Sequence, residues 1–256
     1  MASPLFDLTG KVAIVTGSSK GIGRSIAEQL ALQGAKVVIS SRKLPVCEEV
    51  AAKINGAGGQ AVAIGCNISD KAQCEKLVAE TRRQLGPIDI LVCNAASNPY
   101  YGPTEKMPDD VFMKVMQNNI LSNIWLITQS VPDMRAKKDG AIIIVSSIGG
   151  VRGTPVIGAY GISKAADMQL ARNLAIELGP DNIRINTIAP GLVKTDFAKA
   201  LWDDPAYLNK RLQSAPLRRI GEPEDIGGIA VLLASKAGAF ITGQTIIADA
   251  GVTIAS

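Results

Sequence analysis

Short apolar runs rich in β-branched residues recur along the chain, and stretches with helical spacing lie between them. The first run is Val12-Ala13-Ile14-Val15. Unbroken apolarity, without alternation, fits a strand buried on both faces of a parallel sheet. After a glycine-rich turn, Ile22, Ile26 and Leu30 fall on one face of a helix. A second strand and its end occupy 36–42, and a helix over 45–57 is closed by Gly56, Gly58 and Gly59. A third strand is expected at 61–65. Asp70 caps a helix that runs through Leu85 and stops at Gly86-Pro87. A fourth strand spans 88–93. Pro108-Asp109-Asp110 opens one long helix to about residue 137, its acids set against the positive helix end. A fifth strand at 141–145 precedes a helix that reaches Leu178 before Gly179-Pro180. A sixth strand covers 183–188, a helix follows Pro223, and a seventh strand covers 245–248. No repeat, low-complexity tract or linker intervenes. The alternation predicts a single α/β domain over 1–256, a doubly wound parallel sheet of seven strands with helices on both faces.

At 256 residues, 47% of them hydrophobic, the chain can fill one large core. No apolar run is long enough for a bilayer. Residues 1–10 lack the basic-then-apolar order of a signal peptide, and Ile254-Ala255-Ser256 is not a peroxisomal Ser-Lys-Leu address. A cytoplasmic protein without a membrane partner is expected. Cys47, Cys66, Cys74 and Cys93 include no Cys-x-x-Cys pair, and there is no histidine. Reduced, buried thiols are therefore expected, and no metal site. The net charge of +4 is dispersed, with neither a Lys/Arg run nor an aromatic-basic platform, so no nucleic-acid partner is expected.

The turn after the first strand reads Thr16-Gly17-Ser18-Ser19-Lys20-Gly21-Ile22-Gly23. Strand, glycine-rich turn and helix form the Rossmann arrangement that binds a dinucleotide. Glycines admit the pyrophosphate to the backbone, and the helix start offers free N–H groups. A NAD site places an acid about 20 residues beyond the loop to hold the ribose hydroxyls. Here Ser41 lies 18 residues after Gly23 and is followed by Arg42. A hydroxyl, a guanidinium and the nearby Lys20 suit a 2′-phosphate, so NADP(H) is the expected cofactor. Farther on, Tyr160 and Lys164 are four apart, on one face if helical. A neighbouring ammonium favours the phenolate, making Tyr160 a candidate proton donor in a chain without histidine.

Six motifs in order then resemble the short-chain dehydrogenase/reductase family along essentially the whole chain. They are Thr16-Gly17-x3-Gly21-Ile22-Gly23, Asn94-Ala95-Ala96, Asn119, Ser147, Tyr160-x3-Lys164 and Asn186-x3-Pro190-Gly191. Further stretches resemble NADPH-dependent carbonyl reductases of the peroxisomal retinal/dicarbonyl type and their bacterial relatives. These are Ser40-Ser41-Arg42-Lys43, Asn98-Pro99-Tyr100-Tyr101-Gly102, Pro190-Gly191-Leu192-Val193-Lys194-Thr195 and Arg218-Arg219-Ile220-Gly221-Glu222-Pro223-Glu224-Asp225.

The resemblance implies a hydride transfer between NADP(H) and a carbonyl or secondary alcohol. It makes Tyr160 the proton donor, with Lys164 lowering its pKa and holding the nicotinamide ribose. Ser147 would hydrogen-bond the substrate oxygen, and Asn119 would hold a relay water through its main chain. Gly17, Ser19, Lys20, Gly21, Ile22, Gly23, Ser41, Arg42, Asn67, Ile68, Asn94, Ala95, Pro190, Gly191, Val193 and Thr195 would hold the cofactor with Tyr160 and Lys164. Two positions depart from the family: Ala96 stands where glycine is frequent, and Asn67 where an aspartate holds adenine. Ser146 competes with Ser147 by one position. Asn118 and Asn123 compete with Asn119, and Thr195 is equally placed to cap a helix. Residues 192–216 should cover the substrate, with Phe197, Leu201, Trp202 and Tyr207 as candidates and Trp202 foremost; Tyr100 and Tyr101 would line the opposite side. Rival activities are a 3-oxoacyl carrier-protein reductase, an alcohol or sugar dehydrogenase, and a dinucleotide sensor without catalysis. Apolar residues on two sides of the helices carrying Ile120, Ile124, Leu126, Ile127 and Ala165, Met168, Leu170, Leu174 predict self-association. The relatives pair these helices across a two-fold axis, and a homotetramer is expected.

Overall fold

The computed structural model describes residues 3–255; the side chains of Ala200, Ala206, Tyr207 and Lys210 lie outside the description. Seven parallel strands form one sheet in the order β3-β2-β1-β4-β5-β6-β7. They are β1 Val12–Thr16, β2 Lys36–Ser41, β3 Gln60–Gly65, β4 Ile90–Cys93, β5 Gly140–Val145, β6 Ile183–Pro190 and β7 Thr245–Ala248. The helices are α1 Gly21–Leu32, α2 Leu44–Gly56, α3 Lys71–Leu85, α4 Asp109–Met116, α5 Ser122–Lys137, α6 Gly158–Leu178, α7 Pro205–Ser214 and α8 Pro223–Ala234.

Both sheet faces are covered, which is why the strands read as unbroken apolar runs. Side chains alternate across the sheet. Ala13 and Val15 of β1 pack with Ile26 and Leu30 of α1, Val50 of α2 and Ile226 of α8. Ile14 between them packs on the other side with Leu77 of α3, Leu126 of α5 and Leu178 of α6. Burying such a side chain contributes about 1.5–3 kcal/mol, so the two clusters hold the helices to the sheet.

Apart from α7, the main elements agree with the sequence pattern, and their differences have local causes. Asp70 caps α3 by accepting from the Gln73 N–H at 3.3 Å. β4 begins two residues later than expected, because Asp89 serves as a polar clamp. Its carboxylate accepts from the Val12 N–H at 2.9 Å and from Lys137 Nζ at 2.7 Å. The single long helix expected from Pro108 is instead α4 and α5 joined by a π-helical turn, Gln117–Leu121, with Pro108 as its N-cap. The stretch Arg218 to Asp225 proves to be a helix cap. Glu222 and Asp225 form a capping box at the start of α8. The Arg219 guanidinium and the Glu222 N–H hold the Asp225 carboxyl down at about 2.

β1 ends in a turn with no room for a side chain at Gly23. A Cβ there would lie 2.5 Å from the Gly17 carbonyl oxygen and closer still to the Asn94 amide nitrogen. Gly23→Ala should therefore cost about 1–3 kcal/mol through overpacking, seen as a lower thermal-unfolding midpoint. An unchanged midpoint would mean that this turn can yield.

Candidate active site

The sheet order reverses between β1 and β4, and beyond their C-terminal ends opens a cavity of about 690 Å³. Doubly wound sheets bind ligands at this switch point. Thr16 and Asn94 build its floor. The Thr16 hydroxyl oxygen accepts from the N–H of Asn94 and Ala95 at 3.0 and 3.1 Å. The Asn94 amide donates to the carbonyls of Thr16 and Gly17 at 2.9 and 3.2 Å. Gly17 and Gly21 take left-handed conformations, φ +66° and +57°, which an L side chain rarely adopts. No side chain caps the start of α1, so its first N–H groups face the cavity free of a side-chain acceptor.

Every cofactor contact expected from the sequence lines this one cavity. Arg42 is exposed at its rim, at the end of β2. The Ser41 hydroxyl accepts from the Lys43 N–H at 3.2 Å. Lys20 also lines the cavity, with its ammonium ion-paired to Asp196 at 2.8 Å. Asn67 uses its amide oxygen to accept from the N–H and hydroxyl of Ser69. Thr195 caps the turn Asp196–Leu201, and its methyl lies over Gly21. Asn118 adds a feature the sequence reading set aside. Its amide donates to the Ser97 hydroxyl, while its buried Oδ1 has no protein partner and the residue lines the cavity. An acceptor so placed fits a group that brings its own donors. The glycine cradle, the uncapped helix start and this orphan acceptor fit a dinucleotide.

Tyr160 and Lys164 project from the first turns of α6, and Ser147 follows β5. Ser147 and Tyr160 line the same cavity, and the Ser147 hydroxyl helps to lower the Tyr160 pKa. Ser146 is excluded as the rival, because its buried hydroxyl donates to the Lys164 carbonyl at 2.7 Å. Phe197 stands beside Tyr160, ring centroids 6.1 Å apart. Asn119 lies outside the cavity lining. Its Oδ1 accepts from the Ser97 N–H at 2.8 Å, and its amide donates to the Ser97 carbonyl and the Ser163 hydroxyl. The side chain thus fastens the loop after β4 to α6.

Two expectations change. Lys164 does pull the Tyr160 pKa down, with help from Ser147, but burial outweighs both and the phenol lies above its ordinary value. Trp202 does not line the cavity. Its indole N–H donates to the Thr195 carbonyl at 2.9 Å, and Lys194 sits 5.9 Å from its ring centroid. The same segment presents Phe197, Ala198, Leu201 and Arg211 instead. Tyr101 lines the opposite side, whereas the Tyr100 hydroxyl donates to the Pro103 carbonyl. The side chain of Tyr207 lies outside the description. The sequence reading missed Asp167, fully buried against Lys164, although its spacing of seven from Tyr160 places it on the same helix face.

A cavity with a dinucleotide cradle at one end and a Ser-Tyr-Lys cluster at the other defines an NAD(P)-dependent oxidoreductase acting on a carbonyl or CH–OH group. Known proteins agree. A family model described as enoyl-(acyl carrier protein) reductase matches residues 17–253. The dehydrogenase/reductase SDR family member 4 of Sus scrofa is 40% identical over 244 residues, 95% of this chain and 88% of that protein. A gluconate 5-dehydrogenase from Burkholderia cenocepacia, in complex with NADP and tartrate, superposes with a TM-score of 0.94 at 30% identity, covering 99% of each chain. A 7α-hydroxysteroid dehydrogenase complexed with NADH and 7-oxo glycochenodeoxycholic acid gives 0.94 at 35% identity, covering 98% of this chain and 97% of that one. The chain belongs to the short-chain dehydrogenase/reductase family.

Proposed function

We propose that the protein is an NADP(H)-dependent carbonyl reductase of small ketones, aldehydes or dicarbonyls. The observation that carries this is the convergence of Ser147, Tyr160 and Lys164 on the same cavity as the glycine cradle. When bound, NADP(H) supplies the hydride for reduction. Gly17, Gly21 and the start of α1 would hold its pyrophosphate, and Ser41 and Arg42 its 2′-phosphate. Ser147 donates to the substrate oxygen as negative charge grows there. Tyr160 gives that oxygen its proton, leaving a phenolate that Lys164 stabilises. A phenol with a raised pKa is protonated at neutral pH, the state a proton donor requires. Phe197 and Leu201, within the segment 192–216, form an apolar cover over the reacting centre. A 3-oxoacyl carrier-protein reductase, or an alcohol or sugar dehydrogenase, would use the same cluster.

Four buried free thiols suit a reducing, cytoplasmic setting. Among the described residues, no helix is long and apolar enough to cross a membrane, and no cluster could hold a metal. The outward sides of the two central helical segments show Leu121, Ile124 and Ile162 to solvent. A homotetramer that pairs these faces would cover them.

Tyr160→Phe should lower ketone reduction by about 10²-fold or more while NADPH binding is nearly kept. Retained turnover would reject Tyr160 as donor. A panel of ketones, dicarbonyls and an acyl thioester, followed by NADPH absorbance, separates the substrate classes. Arg42→Ala should weaken NADPH roughly ten- to a hundredfold, the loss of a hydrogen bond to a charged group, and leave NADH little changed. Ser41→Asp should move preference toward NADH. Equal weakening of both cofactors by Arg42→Ala would overturn the phosphate assignment. Sedimentation should give a tetramer at micromolar concentration, and monomer alone would exclude it.

A further inference from the structure

One buried acid has no part in the chemistry above. Asp167 lies on α6, three residues after Lys164, and its side chain is fully enclosed. One carboxylate oxygen accepts from Lys164 Nζ at 2.9 Å, the other from the Asn123 amide at 3.1 Å. The same amide donates to the Asn119 main-chain carbonyl at 2.7 Å. Lys164 Nζ has one further acceptor, the Val145 carbonyl at 2.8 Å. A continuous polar path therefore runs from Lys164 through Asp167 and Asn123 to Asn119. The Asn119 carbonyl, expected to hold a relay water, receives an amide of the protein. The ammonium is held by a carboxylate and a strand carbonyl.

We propose that Asp167 is a positioning residue that acts through Lys164 to keep Tyr160 protonated, biasing the site toward proton donation. The inference rests on Tyr160 being the proton donor. Lys164 Nζ lies 5.7 Å from the Tyr160 ring centroid. A bare ammonium at that range favours the phenolate strongly. With a carboxylate bonded to it, the ammonium becomes one end of a dipole, and its pull on the phenol falls. The neighbours conform. Burial opposes the Lys164 ammonium, yet Asp167 and Tyr160 carry its pKa above the ordinary value. Burial raises Asp167, with Lys164 and Asn123 pulling it back. The other groups facing the cluster are the Ser147 hydroxyl, the Tyr101 phenol and, from β4, the Cys93 thiol, whose pKa burial raises. The ion pair thus supplies the formal charge beside Tyr160. Asn123, bonded to both Asp167 and the π-helical turn, fixes the carboxylate in place.

The test is the pH dependence of kcat/KM for ketone reduction with NADPH and alcohol oxidation with NADP⁺. Asp167→Asn keeps the side-chain shape and an acceptor for Lys164 but removes the charge. Unopposed, the ammonium should lower the Tyr160 pKa, so both limbs should move to lower pH by about one unit. The double exchange Asn123→Asp with Asp167→Asn returns a carboxylate one step farther away and should restore part of the shift. Ionisation of Tyr160 can also be read without turnover, as the near-ultraviolet tyrosinate absorbance lost in Tyr160→Phe. That titration should move with the kinetic limbs. Limbs and titration that stay in place, or move to higher pH, would overturn the proposal and leave Asp167 a packing residue. If Asp167→Asn does not fold, the double exchange alone decides by the same criterion. Should Tyr160→Phe keep its turnover, the donor assignment fails. If Tyr160→Phe is inactive and Asp167→Asn leaves the profile unmoved, only the role of Asp167 fails.

Discussion

The bond of the Asn94 amide to the carbonyls of Thr16 and Gly17 is the contact on which the site depends. β1 and β4 pair along their length, then diverge, and the carbonyls at the end of β1 leave the sheet ladder. Left unpaired in a half-buried crevice, each would cost on the order of 1–3 kcal/mol. One amide satisfies both and fixes the path of the turn into α1. That path brings Gly23 against Gly17 and Asn94, allowing no side chain. The direction of α1 follows from it, and so does the field of its N-terminus across the cavity.

At the opposite end the governing balance is burial against charge. Burial raises the Tyr160 phenol. Lys164 works the other way, and its own desolvation is offset by a buried acid. Paired buried charges give small net stabilisation, because desolvation consumes most of the attraction. The Lys164–Asp167 pair is therefore better understood through what it does to a neighbouring proton than through fold stability.

The seven strands, the glycine turn and the end of β2 were legible because parallel strands buried on both faces leave an unmistakable apolar signature. The position of each candidate catalytic group was legible only through motifs, since Ser146 and Ser147 are alike in composition and only their packing separates them. Trp202 was misplaced because an indole is apolar in body and polar at one edge. Its N–H found the Thr195 carbonyl, and that bond turns the ring out of the cavity. Helix α7 was not foreseen, because the segment 192–216 was legible only as a cover for the substrate. Asp167 went unnoticed because a single acid within a helix reads as solvent-facing until its neighbours are known.

The widened turn between α4 and α5 carries a last consequence. A π-helical turn holds one residue more than the α-helical turn it replaces. With about 100° of rotation per residue, that extra residue resets the angular phase of everything beyond it. Asn118 and Asn119 meet the loop after β4 inside the turn, whereas Leu126, Ile127 and Val131 meet the sheet farther on. The chain can thus tune the polar face for the site and the apolar face for the core as separate modules. Loss of one residue here would be a frameshift in three dimensions, turning one of the two faces away from its partner without altering any side chain in it.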